Sequence, residues 1–363
     1  MPSQLLHVLY GEDVITGIHR QLAGSYGIVA DKALERVMDQ HRQVFALGCQ
    51  GPDIFYHSRG RRPVALEYGT LLHRRGAGTF TAGLLKLGLP DPPPDEEDIR
   101  LGRREKGINA LGVYALGFMT HAILDRMTHP YIVYKCDRPP SEPPLLKLSH
   151  AFFERILDVL MFKRLRGREI EEWDQIGVLA QTCEEPPLGL KELLSRALVM
   201  AFPHRAGRDE KLSARIENTF FDSGGFYRHT DPGFTAPGGG GRAGTGIKRH
   251  HLTYIYPLQL PPDLDFLNLN KLPWYYPAGD SPAEYRSFPE LYDHAVDRAV
   301  STLGDIIERY LHEGYFPIVE AAQAIGNGGL SICGDDGKPC AVTRTDPLPL
   351  DEVISRQADL RGI

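Results

Sequence analysis

Three polar residues stand four apart in the otherwise apolar stretch "GFMTHAILDRMTHP" (Gly117–Pro130): His121, Asp125 and His129. Positions i, i+4 and i+8 of an α-helix drift by only about 40° per step, so the three share one face. Leu116, Phe118, Ile123 and Leu124 cover much of the remaining circumference, which predicts a buried helix. Burying a carboxylate and two imidazoles is costly unless something compensates, and a coordinated metal ion is one of the few groups that can.

A lone histidine on an apolar helix is commonly a hydrogen-bonded core residue, but here the pattern recurs. "SHAFFERILD" sets His150, Glu154 and Asp158 at the same spacing among Phe and Leu, "LLHVLY" carries His7, "ALGCQGPDIFYH" carries Asp53 and "GTLLHRR" carries His73. Imidazole and carboxylate are the donors of catalytic zinc, whereas structural zinc usually closes with cysteine. His7, Asp53, His73, His121, Asp125, His129, His150 and Glu154 are too many ligands for one ion. They suffice for two or three, with a carboxylate bridging neighbours and a water between them activated for attack.

The elements that must hold these residues are mostly helices. Apolar periodicity predicts them at 12–23, 29–46, 64–87, 106–129, 144–166, 188–202, 208–220 and 283–325. Pro- and Gly-rich connections fall at 89–98, 137–144, 184–189 and 231–246. Only 251–260 and 331–343 have strand character, the second reading as a hairpin around Asp336-Gly337. There is no βαβ alternation, which disfavours a Rossmann nucleotide site.

Hydrophobic residues make up 42% of the 363, charged residues 24%, and the formal net charge is -6, the balance of a globular protein with ample core. That charge argues against a nucleic acid held by bulk electrostatics. The first 20 residues have no basic leader or signal-length apolar run, and no segment spans a bilayer, so the chain is expected to be cytoplasmic without transmembrane contact. The five cysteines are odd in number and scattered, as suits free thiols in a reducing compartment.

The series His7 in "LLHVLY", Asp53 closing "LGCQGPD", His73 in "LLH", "GFMTHAILDRMTHP", then His150 and Glu154 in "HAFFE" resembles the zinc-dependent phospholipase C family, strongly over 5–160 and loosely beyond. The resemblance implies an all-helical fold shared with single-strand-specific nucleases of the P1 type. It further implies that Asp53, His73 and His121 hold one zinc, with Asp125 bridging to a neighbour. His129, His150 and Glu154 would hold a second ion and His7 would belong to a third. Asp53 would also help activate the attacking water in hydrolysis of a phosphodiester. Secreted members complete the third site with an N-terminal Trp; this chain begins "MPSQ", so Glu12 or His19 could complete it, or two zinc ions suffice.

Other candidates are weaker. Lys248–His251 ("KRHH") could cover a phosphate but reads more readily as a solvated turn, as do Arg59, Arg61 and Arg62. Trp274, Tyr275 and Tyr276 could line a lipid or base pocket or simply pack between segments. No adjacent His-Asp pair exists, which removes the HD-type phosphohydrolases. The sequence therefore predicts a mainly α, multi-helix phospholipase C/P1 nuclease-like bundle over 1–325, ligand motifs in 5–160 and cleft-capping segments in 225–281, followed by a 326–363 hairpin and tail. Its expected activity is zinc-dependent hydrolysis of a small phosphodiester or phospholipid head group. The alternatives are a nuclease or nucleotide phosphodiesterase on the same metals, and a non-catalytic zinc-tied helical module.

Overall fold

A computed structural model describes residues 4–26, 35, 38–89, 108–137, 149–235, 249–313, 316–334 and 336–362. The protein is mainly helical. Its longer helices are α1 (Gln4–Tyr26), α2 (Arg42–Cys49), α3 (Leu66–Arg74), α4 (Ala77–Gly88), α5 (Ala110–Cys136), α6 (Ser149–Arg166), α7 (Leu190–Ala201), α8 (Leu212–His229), α9 (Phe288–Glu313), α10 (Ile318–Ile325) and α11 (Leu350–Arg361). Among the described residues the only β pairing is two isolated bridges, Trp274 with Glu284 and Cys333 with Pro339.

Helix α5 is the central strut. Its start is capped by Asn109, whose side chain accepts a hydrogen bond from the Gly112 amide at 2.9 Å. It is buried all round from Gly112 to Asp125 and from Thr128 to Cys136. The helix expected over 106–129, ending just before Pro130, continues to Cys136, because the surrounding packing outweighs the one hydrogen bond that proline cannot make.

Two glycines let α2 lie directly on α5. A methyl group at Gly48 would stand 2.4 Å from the Tyr114 carbonyl oxygen, and one at Gly117 would stand 2.5 Å from that of Phe45. Helix α1 is pinned at its first turn by Asp158 of α6, which accepts from the Leu6 amide at 2.7 Å. It is pinned again where the Tyr10 hydroxyl donates to the Ala295 carbonyl of α9 at 2.8 Å.

The single helix expected over 64–87 is two, α3 and α4, broken at Gly76 with φ 81°. The helix expected over 283–325 is likewise divided into α9 and α10. Of the one expected over 29–46, residues 29–34, 36 and 37 lie outside those described, and α2 runs on to Cys49. Arg126 of α5 closes the C-terminal end of α10, donating to the carbonyls of Ile325, Gly326, Gly328 and Gly329.

The expected hairpin at 331–343 is corrected to a tight loop with one bridge: the Gly334 amide donates to the Lys338 carbonyl at 2.9 Å and the Cys340 amide to the Ile332 carbonyl at 3.4 Å, no further β pair follows among the described residues, and Gly337, with φ 72°, turns the chain back at once. The stretch 251–260 is not a strand either: a 3-10 helix, Arg249–Tyr254, leads into irregular chain without a β partner. The C-terminal segment joins the main core, with Leu330, Leu350, Val353, Ile354 and Ala358 buried in it, and α11 was not expected from periodicity. No helix among the described residues is long and apolar enough to cross a membrane.

Candidate metal centre

The motif "LGCQGPD" positions Asp53 through its backbone. Gly48 allows the close α2–α5 contact, and this brings the Cys49 carbonyl to 3.0 Å from His121 Nδ1. Gly51 then turns with φ 54°, and a methyl group there would lie 2.3 Å from His121 Cγ. Only glycine fits both the dihedral and the space. The 3-10 turn that follows, Gly51–His57, delivers Asp53 beside His73 of α3.

Asp53 Oδ1 lies 3.0 Å from His73 Nε2, and Oδ2 lies 4.0 Å from His121 Nε2. Asp125 stands between the two halves of the centre. Its Oδ2 faces His121 Nε2 at 3.2 Å and His73 Nε2 at 3.7 Å; its Oδ1 faces His7 Nε2 at 3.3 Å and His129 Nδ1 at 3.2 Å. His129 Nε2 passes the line on to Glu154 Oε1 at 3.5 Å, which also meets His150 Nε2 at 3.2 Å. The rings of His7 and His121 stack at 4.0 Å and those of His129 and His150 at 5.5 Å.

Three groups result whose donor atoms come close enough together to hold an ion: Asp53, His73 and His121; His7, His121 and Asp125; His129, His150 and Glu154. His7 thus meets α5, whereas Glu12 pairs with Arg42 at 2.6 Å and with Arg166 at 3.6 Å. His19 and Glu12 line a separate surface groove beside Asp13 and Arg42. Neither completes the His7 group.

Several of these donor atoms are buried and form no hydrogen bond: His7 Nδ1, Asp53 Oδ1, His73 Nε2, His121 Nε2, Asp125 Oδ2 and His129 Nδ1. Most sit at ion-pair distance from a neighbour without hydrogen-bond alignment. Each unsatisfied buried polar atom costs about 1–3 kcal/mol. Together they would consume much of the roughly 5–15 kcal/mol that holds a domain folded. Cations placed between Asp53, His73, His121 and Asp125 would satisfy the atoms that these residues turn toward one another, and the donor set of nitrogen and carboxylate oxygen fits such ions. The outward nitrogens are already fixed, His121 Nδ1 on the Cys49 carbonyl and His73 Nδ1 on the Gly69 carbonyl at 2.8 Å. Anchoring of this kind orients an imidazole for a metal.

The charge states agree. Burial alone would raise the Asp53 carboxyl, but the close approach of the His73 imidazole and the charges of His73 and His121 outweigh it and hold the group below the usual carboxylate range. Burial is overcome in the same way at Asp125 by His129 and His121. Burial lowers His7, whereas at His121 the Asp125 carboxylate reverses the effect of burial and raises the imidazole. Solvent reaches the centre at its ends, where the side chains of His73 and His150 are 11% and 25% exposed.

Asp158, third in the periodic series on α6, does not join the centre; besides capping α1 it accepts from the Tyr256 hydroxyl at 3.2 Å and faces Arg155 Nη1 at 3.6 Å. Trp274, Tyr275 and Tyr276 pack between segments. Trp274 is buried edge-on against Tyr131, Tyr276 bonds the Cys333 backbone, and Arg344 lies over Tyr275. The 58–62 loop is tied to α8, with Asp222 accepting from the Gly60 and Arg61 amides and Arg61 lying over Phe221. Lys248 and the Gly-rich 236–247 stretch lie outside the described residues.

Sequence reading missed Cys136 and Asp137, which meet His150 in a fourth group. Asp137 continues the four-residue register of 121, 125 and 129 by two further steps, a signal hidden because Pro130 read as the end of the helix. Compared with protein-family models, curated proteins and solved structures, the chain has no match.

Proposed function

We propose that this protein is a zinc-dependent hydrolase of phosphoric diesters of the phospholipase C type. The observation that carries the reading is Asp125, a buried carboxylate with both oxygens flanked by imidazoles of different groups, the arrangement of a bridging ligand. Asp53, His73 and His121 would hold one ion, His129, His150 and Glu154 a second, and His7 with Asp125 a third. Zinc bound there supplies Lewis-acid neutralisation of phosphoryl oxygens and a water acidic enough to attack near neutral pH.

The protein's own residues do the rest. Asp53 is ionised and buried, so its carboxylate would accept a hydrogen bond from the attacking water and orient it beside His73 and His121; its lowered pKa suits it to holding and aligning rather than to keeping a proton. The backbone anchors on His121 and His73 keep both rings aimed inward without further reorganisation. Tyr56 packs its ring against His73, with centres 4.9 Å apart, and so restricts that imidazole's movement. The substrate is a small phosphodiester or phospholipid head group rather than a long nucleic acid, for which a net charge of -6 offers no bulk attraction.

Metal content by inductively coupled plasma mass spectrometry, followed by a side-by-side screen of a chromogenic phosphodiester, a phosphocholine head-group analogue and a dinucleotide, tests this. Two or three zinc ions with chelator-sensitive turnover of the first two supports it. Bound zinc with no diester turnover would leave a helical module tied by metal. Turnover confined to the dinucleotide would make the protein a nucleotide phosphodiesterase.

A further inference from the structure

At the outer end of the centre a sulfur joins the ligand set, and the phosphodiester chemistry makes no use of it. Cys136 closes α5 and Asp137 caps it. Cys136 Sγ lies 3.3 Å from His150 Nδ1 and 3.4 Å from Asp137 Oδ1, and those last two atoms are 3.7 Å apart. Zinc–sulfur bonds of about 2.3 Å with nitrogen and oxygen at about 2.0–2.2 Å give tetrahedral edges of roughly 3.3–3.6 Å, close to this triangle. The thiol is 1% exposed, while the Asp137 and His150 side chains are 38% and 25% exposed, so the triangle is closed on one side and open to a solvent ligand on the other.

Both ring nitrogens of His150 face groups able to share an ion with them. Nε2 faces Glu154 at 3.2 Å within the core centre, and Nδ1 faces Cys136 and Asp137. An orienting partner for an imidazole needs only a carboxylate or carbonyl, and Asp137 already supplies one. A thiol is a weak hydrogen-bonding group and adds little to that task. Its distinctive capacity is as a thiolate for borderline and soft cations.

We propose that Cys136, Asp137 and His150 Nδ1 form a separate thiolate site for Zn²⁺, Co²⁺ or Cd²⁺, linked to the core centre through the two nitrogens of one imidazole. Binding forms one bond each from sulfur, oxygen and nitrogen to the ion and releases the thiol proton, with any proton on Nδ1, to solvent; nothing is oxidised or reduced. The site goes beyond the hydrolase reading and stands without it.

The test uses the full chain carrying Cys333→Ser and Cys340→Ser, which removes the two partly exposed thiols, expressed with cobalt. A near-ultraviolet thiolate-to-cobalt charge-transfer band is expected. Cys136→Ser should abolish it and lower the metal content by about one ion per chain. Asp137→Ala should weaken cobalt retention at the band roughly 10–100-fold. The band should survive in His121→Ala/Asp125→Ala, so loss of the core centre and loss of this site are read separately. Circular dichroism matching the parent shows that Cys136→Ser is folded. Absence of the band at saturating cobalt, or the same band and metal count in Cys136→Ser, overturns the proposal.

Discussion

His121 Nε2 lies 3.2 Å from Asp125 Oδ2, one turn away on α5, while Asp125 Oδ1 faces His7 and His129 on the far side. One carboxylate therefore connects groups contributed by α1, α3 and α5. Replacing it with the isosteric amide keeps the shape but removes the charge that would be shared between ions. Asp125→Asn is expected to lose more than one ion per chain and to reduce diesterase turnover at least on the order of 10²-fold. Metal content and turnover measured on the same preparation check this; an unchanged metal count would show that Asp125 is not a bridge.

Gly51 tests whether the backbone holds the centre in shape. With φ 54° and His121 Cγ in the space a methyl would need, Gly51→Ala must twist the 51–57 turn or displace the imidazole. A loss of about 1–3 kcal/mol in stability is expected from the strain, together with weaker metal retention. Gly225→Ala is the control, since nothing lies within 4 Å of its added methyl, and it should melt at or above the parent temperature.

Removing the metals should destabilise the protein as a whole. Ions that bind only the folded form stabilise it by mass action, about 4.1 kcal/mol for each site at 1,000 times its dissociation constant. Chelation is therefore expected to lower the melting temperature by more than ten degrees, and restoring zinc should recover it. An unchanged melt after verified metal removal would mean that the orphaned donor atoms are satisfied in some other way.

The candidate ligands were legible in the sequence because a helix repeats every 3.6 residues and α5 is buried, so His121, Asp125 and His129 stand out from their apolar surroundings. It could not show which groups meet across helices. His7 carried no local sign that it faces Asp125 rather than Glu12, for that depends on Asp158 seating the first turn of α1. Asp158 itself fitted the ligand spacing and is structural, because periodicity reports a shared face and not what stands opposite. Pro130 hid the last turn of α5, and with it Asp137, since a proline's local penalty is visible in sequence while the packing that outweighs it is not. The 331–343 turn looked like a hairpin for the converse reason: its Asp-Gly signal is local and reports a turn, not how far the residues on either side of it pair.

Asp158 separates structure from chemistry. Buried beside Arg155, it satisfies the Leu6 amide, the Tyr256 hydroxyl and part of the guanidinium charge. Asp158→Asn leaves Arg155 without its carboxylate and should cost about 3–5 kcal/mol in stability. Metal content per folded chain should stay at the parent value, because no candidate group includes Asp158. A selective loss of metal without a loss of stability would instead place Asp158 among the ligands.

The pH dependence of the metal-free protein follows from opposed shifts. His121 and His150 are raised above 6.5 by carboxylate and thiol neighbours that overcome burial, so the folded form holds their protons more tightly than the unfolded chain. That stabilisation is complete below pH 6.5 and is lost as pH rises through the raised folded values. Asp125 and Asp53 are lowered, so their contribution is present above pH 3.8 and lost as pH falls through the lowered values. His7 and His57, lowered by burial, act against folding as pH falls below 6.5, His57 down to about 3. The metal-free protein should therefore melt at lower temperature as pH is raised from about 7 to about 9, and again in acid. With metal bound, the imidazoles are already deprotonated as ligands, so the alkaline decline should vanish while the acid decline remains. Melting curves at matched ionic strength, with and without zinc, decide this: an alkaline decline of equal size in both forms would mean that the ions do not sit on His121 and His150.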